Sequence, residues 1–316
     1  MPMDYRYLKM TNRFVGLRYG AKINWAFLLV FAFNFQISYC SQPNDCWDRF
    51  EIIPQKQENF TVYKIRPHIF LIRDISCFED INCYLIIGKD RCLLFDTGLG
   101  LGNIKEVVIG LTKLPIVVLN SHTHYDHIGG NYLFDSIIGI ESRYSNANRK
   151  GMSHETLLSF YKRAYIYSNS LLSCIPNNYI INPFSVSQFF HDNDTIDLGG
   201  LTLEIITTPG HTPDGVCLLD KKDSLLFSGD IINKGTLFLH LTESDFQVFS
   251  SSIAKINSQR QFFKYIMPGH GCTELEESCI LELEDNIQKI KDGKVSFIVT
   301  NGVNFYNFSF FKYLVK

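Results

Sequence analysis

The sequence has no Cys-x-x-Cys pair, no long run of lysine or arginine, and no apolar stretch of the ~20 residues that a membrane-spanning helix needs. Each absence removes a class of function. Closed structural zinc sites rely on paired cysteine thiolates, so a thiolate zinc site is not expected. Neutralising a phosphate backbone takes clustered positive charge. With 30 Lys and Arg against 32 Asp and Glu, and a formal net charge of −2, nucleic acid is not expected as a partner. No stable membrane span is expected either. What remains is a chain of 316 residues, 46% hydrophobic and 20% charged. That balance is ordinary for a globular protein, and the length suits one large domain or two small ones.

The N-terminus differs from the rest. Arg13, Arg18 and Lys22 precede a short apolar run at 25–35, and Ser38, Tyr39, Cys40 and Ser41 follow it. A basic start, a short apolar stretch and small residues after it are the pattern of a secretory signal peptide. Residues 1–41 are therefore expected to be a signal and the protein to be exported, secreted or periplasmic. A membrane anchor or a buried N-terminal helix in a cytoplasmic protein are the alternatives. Removing Cys40 would leave an even number of the nine cysteines, which suits disulfides in an oxidising compartment. Cys92 and Cys217 lie in apolar, strand-like runs and read as buried thiols.

Residues 42–59 are polar, contain Pro43 and Pro54, and read as a linker, with the folded domain expected over 60–316. Short β-rich runs at 60–65, 69–73, 83–87 and 92–95 form a strand meander, followed by a helix at 103–112 and a strand at 116–119. Residues 142–172 have helical spacing, with Leu157, Leu158, Tyr161, Tyr165 and Leu172 on one face. A second strand series then begins near Thr195, with helices expected at 246–256 and 274–291 and a late strand at 294–299. This alternation predicts an α/β fold of two halves whose sheets pack together with helices outside.

The chemistry is concentrated after the 116–119 strand, where His122, His124, Asp126 and His127 fall within six positions, followed by Gly129 and Gly130. Neutral imidazole and carboxylate are preferred zinc ligands. In extended backbone His122 and His124 point the same way, while Asp126 and His127 turn toward a second position. Three further segments place a ligand type beside glycine just past a strand: Gly210-His211, Gly229-Asp230 and Gly269-His270. Strands of one sheet bring their ends together, so these segments can converge on one pocket.

The order Asp96-Thr97-Gly98, the His122 cluster, His211, Asp230 and His270 resembles the metallo-β-lactamase superfamily over roughly residues 60–290. The resemblance implies a four-layer αββα sandwich and two divalent metal ions, zinc in the first instance. It assigns His122, His124 and His211 to one ion, Asp126, His127 and His270 to the other, and Asp230 to both. Asp96 would orient the site from behind. Aspartate at 230, where the best-known zinc β-lactamases have cysteine, and histidine at 124, where flavodiiron proteins have glutamate, disfavour those subgroups. The ligand set is similar to that of glyoxalase II, acyl-homoserine lactonases and acyl thioesterases, and the run 194–230 is most similar to a mammalian palmitoyl-CoA thioesterase group. The expectation is a hydrolase that attacks an ester, thioester or lactone carbonyl of a small-molecule substrate with a hydroxide shared between two ions, Asp126 both ligating and orienting it. A β-lactamase and an iron-dependent persulfide dioxygenase are the alternatives. Tyr161, Tyr165, Phe238 and His240 are candidate pocket residues. Oligomeric state is not legible.

Overall fold

The computed structural model describes residues 46–77, 80–164 and 176–316. The signal reading of residues 1–41, Tyr165 and Leu172 lie outside the described residues. Among the described residues no helix is long and apolar enough to cross a membrane.

The first sheet has eight strands in sequence order: β1 (Glu51–Ile53), β2 (Phe60–Arg66), β3 (Ile69–Asp74), β4 (Ile81–Ile87), β5 (Cys92–Phe95), β6 (Ile116–Leu119), β7 (Ile137–Gly139) and β8 (Gln188–Phe189). Strands β1 to β5 pair antiparallel and β5 to β8 pair parallel. Helix α1 (Ile104–Leu111) makes the crossover from β5 to β6. Asn103 starts it by accepting the amide of Glu106 at 3.2 Å. Three helices follow: the single-turn α2 (Tyr125–Ile128), α3 (Arg143–Asn148) and α4 (His154–Ala164).

The second sheet contains β9 (Thr195–Asp197), β10 (Thr202–Thr207), β11 (Val216–Asp220), β12 (Leu225–Gly229), β14 (Tyr265–Pro268) and β15 (Leu275–Glu276). The pair β12–β14 is parallel and the rest are antiparallel. Helices α5 (Phe246–Ser258) and α6 (Cys279–Lys291) cover its outer side. A third, four-stranded sheet joins β13 (Gly235–Leu239) to three C-terminal strands, β16 (Ile298–Thr300), β17 (Val303–Asn307) and β18 (Phe311–Val315).

The alternation of side chains along the central strands produces the layering. In β5, Leu93 and Phe95 enter the core between the two large sheets, while Cys92 and Leu94 face α1. In β11 and β12, Val216, Leu218, Leu225 and Phe227 enter the inter-sheet core, while Cys217, Leu219 and Leu226 face α5 and α6. Strands apolar on both faces can only be interior, because each face needs its own cover. The result is the expected four-layer sandwich of helix, sheet, sheet and helix.

Three expectations are corrected. Residues 46–59, within the stretch read as a linker, belong to the fold: Trp47 is buried in the inter-sheet core, β1 pairs with β2, and Cys46 is bonded to Cys272. The helix expected from residue 274 begins only at Cys279, because Leu275 and Glu276 pair with Ile266 and Tyr265. The late strand, expected at 294–299, begins only at Ile298 and is one of three C-terminal strands that join β13 in a four-stranded sheet that was not anticipated. Cys77 is also disulfide-bonded. Cys83, Cys92, Cys217 and Cys279 remain thiols, the first three buried.

Candidate metal centre

The histidine cluster forms because β6 ends at Leu119 and the chain turns across the top of the sandwich into α2. His122 and His124 lie on the bent segment that leads into it, and Asp126 and His127 on the helical turn. His211 arrives on the loop after β10, Asp230 immediately after β12, and His270 just past β14. All seven predicted donors are thereby brought together.

His122 Nε2 lies 2.9 Å from His124 Nδ1, and His211 Nε2 lies 3.1 Å from the same atom. On the other side, Asp126 Oδ2 lies 3.4 Å from His127 Nε2 and 3.3 Å from His270 Nε2. Asp230 stands between the two sets. Its Oδ1 is 3.5 Å from His127 Nε2, and its Oδ2 is 3.3 Å from His270 Nε2 and 3.7 Å from His211 Nε2.

The outward nitrogens decide what the inward ones can do. His211 Nδ1 donates to the Phe238 carbonyl at 2.9 Å, and His127 Nδ1 donates to Asp96 Oδ2 at 2.9 Å. His124 Nε2 lies 3.2 Å from Glu243 Oε1. A carbonyl or carboxylate oxygen can only accept, so each of these nitrogens carries the ring proton. In the neutral rings, the form that binds a metal, the inward nitrogens are then bare lone pairs. His211 Nε2 and His124 Nδ1 face each other with no hydrogen between them, and His127 Nε2 and Asp230 Oδ1 are buried without hydrogen-bond partners. Lone pairs and carboxylates converging in a buried space need a cation, and the donor types fit a divalent transition metal. Outward partners of this kind fix tautomer and ring orientation in metal sites.

The electrostatics divide along the same line. Burial and neighbouring imidazoles hold His122 well below the usual histidine range and lower His211 to about 4, so both are neutral at physiological pH. Burial also acts to lower His127 and His270, but the carboxylates of Asp126 and Asp230, with Asp96 at His127, outweigh it and raise both. Burial pushes Asp126 and Asp230 up, and the adjacent imidazoles bring them well below the ordinary carboxylate range.

Asp96 lies at the centre of the support. It is fully buried in the left-handed region at φ 67°, and its Oδ1 accepts the Ser121 amide at 2.7 Å. The turn residue of the Asp-Thr-Gly segment thus sits directly behind His127. The His211 loop is seated on the start of α5: Ser244 Oγ donates to the His211 carbonyl at 2.8 Å and Ser252 Oγ to that of Pro209 at 2.6 Å. Gly210 has φ 136°, and a Cβ there would lie 2.3 Å from Phe249 Cα, so only glycine allows this approach.

Sequence reasoning missed several supports. Asn82 on β4 is fully buried and donates to the carbonyls of Pro268 at 3.1 Å and Gly271 at 2.8 Å, pinning the His270 loop to the other sheet. Glu243, on the loop before α5, orients His124. The rings of Phe160 and Tyr144 lie 5.0 and 6.3 Å from that of His124. None of these has a local signal, since each acts across a long sequence separation. The pocket expectation changes accordingly. Tyr161 is buried against Tyr125 in the helix-facing core. Phe238 holds His211 through its backbone, and His240 Nε2 donates to the Arg163 carbonyl at 3.1 Å.

Comparison with known proteins points the same way. The sequence profile of the metallo-beta-lactamase superfamily matches residues 78–300. The chain is 26% identical over 203 residues to the acyl-coenzyme A thioesterase MBLAC2 of Homo sapiens, covering 60% of this chain and 72% of that protein. It is 24% identical over 203 residues to the hydroxyacylglutathione hydrolase GloC of Haemophilus influenzae, covering 62% and 88%. The fold superposes on a metallo-beta-lactamase family protein of Thermus thermophilus with a TM-score of 0.54 at 16% identity, covering 73% and 83%. With its His and Asp clusters in place, the chain belongs to the metallo-beta-lactamase superfamily.

Proposed function

We propose that the protein is a binuclear, zinc-dependent hydrolase of acyl thioesters. The observation that carries this reading is Asp230, whose two carboxylate oxygens face the two sets of imidazoles. His122, His124 and His211 would hold one ion, Asp126, His127 and His270 the other, and Asp230 both. Two divalent ions in such a donor set supply Lewis acidity at the acyl carbonyl and acidify a water molecule to near neutrality.

The chain's own groups do the rest. Asp126 orients the attacking water through its carboxylate. Asp96, Glu243 and the Phe238 carbonyl keep three ring protons facing outward, so the inward nitrogens stay available. Phe160 and Tyr144 form an aromatic edge beside His124 on which an acyl chain can lie. The thioester preference within the wider class of esters, thioesters and lactones is supported by the relatives named an acyl-coenzyme A thioesterase and a hydroxyacylglutathione hydrolase. Export belongs to the same proposal and is supported by the Cys46–Cys272 disulfide. N-terminal sequencing of the mature protein checks it: a first residue upstream of the 25–35 apolar run contradicts signal cleavage.

The activity test is a panel of acyl-CoA thioesters, acylated glutathione, a lactone and a chromogenic cephalosporin. Thioester turnover should be lost on chelation, return with zinc, and be abolished by Asp230→Ala. Turnover of the cephalosporin alone would replace this reading with a β-lactamase.

A further inference from the structure

A second group of donors lies at the other end of the sandwich. Strands β11 and β12 run to the metal centre at Val216 and Gly229, and their opposite ends, Asp220 and Leu225, are joined by a turn carrying Asp223. His68 comes from the first sheet, in the turn between β2 and β3. His68 Nε2 lies 2.8 Å from Asp223 Oδ2, and the donor atoms of His68, Asp220 and Asp223 all lie within 4.8 Å of one another.

These atoms are not satisfied by the protein. Asp220 is fully buried; its Oδ1 accepts the amides of Lys222 at 3.0 Å and Asp223 at 3.1 Å, which fixes the carboxylate and leaves Oδ2 with no hydrogen-bond partner. His68 Nε2 and Asp223 Oδ2 are also buried atoms, and despite their proximity they make no aligned hydrogen bond. A protonated His68 would bring one hydrogen on Nε2 and could serve only one of the two carboxylate oxygens. A shared cation serves all three atoms, and tetrahedral ligands at ~2.1 Å from one ion stand about 3.4 Å apart.

We propose that His68, Asp220 and Asp223 bind one late first-row divalent ion of the zinc type, separate from the catalytic centre, tying the two large sheets together at their far end. The imidazole selects against calcium and magnesium, which take oxygen ligands. The side chains of His68 and Asp223 are 29% and 22% exposed, so the site lies near the surface, and positions on the ion that the protein leaves open would be filled by water.

The test uses the full chain, stripped with chelator and reloaded by dialysis against buffered zinc, then cobalt. Metal per chain is measured with the cobalt absorption spectrum, and folding is checked by circular dichroism. Wild type should carry one equivalent more than His68→Ala or Asp220→Asn. Thioester hydrolysis by these variants should stay within about twofold of wild type, as expected for distant sites. The same equivalent should persist in Asp230→Ala, which separates this site from the catalytic one. Should Asp220→Asn fail to fold, Asp223→Asn takes its place. Equal metal content in wild type and His68→Ala across the titration would overturn the proposal and leave an ion pair.

Discussion

Replacing Asp96 with asparagine tests whether the metal centre is held in register from behind. Asparagine keeps the size of the side chain and tolerates the left-handed backbone at φ 67°. It has only one acceptor oxygen, whereas Asp96 accepts from both the Ser121 amide at 2.7 Å and His127 Nδ1 at 2.9 Å. If the amide oxygen stays on Ser121, the NH2 group faces His127 Nδ1, which must then accept. The ring proton moves to Nε2, the atom that points at Asp126 and Asp230. A protonated Nε2 cannot ligate. Loss of such a partner typically lowers metal affinity about 10–100-fold, equivalent to about 1.4–2.7 kcal/mol. Competition with a chromophoric chelator should show that loss on the ion held by His127, the ion held by His122, His124 and His211 being little changed. Imidazole 15N chemical shifts should report the changed tautomer. Unchanged affinity and unchanged His127 shifts would refute the reasoning.

Other predictions follow from single contacts. Reducing Cys46–Cys272, or replacing both with serine, should cost about 2–4 kcal/mol in urea unfolding; it should also weaken metal binding at His270, two residues from Cys272. Asn82→Ala should destabilise by about 1–3 kcal/mol, since the part-buried Gly271 carbonyl loses its donor and the Pro268 carbonyl is left with Tyr84 Oη alone at 2.8 Å, and the loss should reach the His270-side ion in the same chelator assay. In the metal-free protein, His211 should titrate near pH 4 by NMR. Its folded value lies below its unfolded one, so the unfolded chain binds more protons between pH 6.5 and about 4. This residue's contribution to stability therefore falls as pH drops through that window, by about 3 kcal/mol in total, and a His211 titration near 6.5 would contradict the burial argument.

The sequence was most legible where structure is local. His122 to His127 lie on one short segment, so their chemistry could be read without the fold, and α1 falls within the predicted 103–112 span. The strands of the central sheets were visible because they are apolar on both faces. What escaped depends on distant partners. Cys46 and Cys272 are 226 residues apart, and no spacing rule pairs them. Trp47 and β1 looked like a linker because their few apolar residues stand among polar ones; pairing with β2 makes the strand, and burial in the inter-sheet core places Trp47. Glu274 was assigned to a helix, yet it has φ 56° and binds Arg49 and Arg66, so the chain turns there before α6. Glu243 and Asn82 serve the metal centre through tertiary contacts that leave no trace in their neighbours. Tyr161 matched an apolar face correctly, but an apolar face marks core as readily as pocket.

The central claim is that two ions share Asp230. Zinc X-ray absorption on the loaded His68→Ala protein, which removes the far site from the signal, tests it most directly. A metal–metal vector at about 3.5–4 Å that disappears in the His68→Ala/Asp230→Ala double variant is the predicted result. Isolated ions with no such vector at full zinc loading would contradict it.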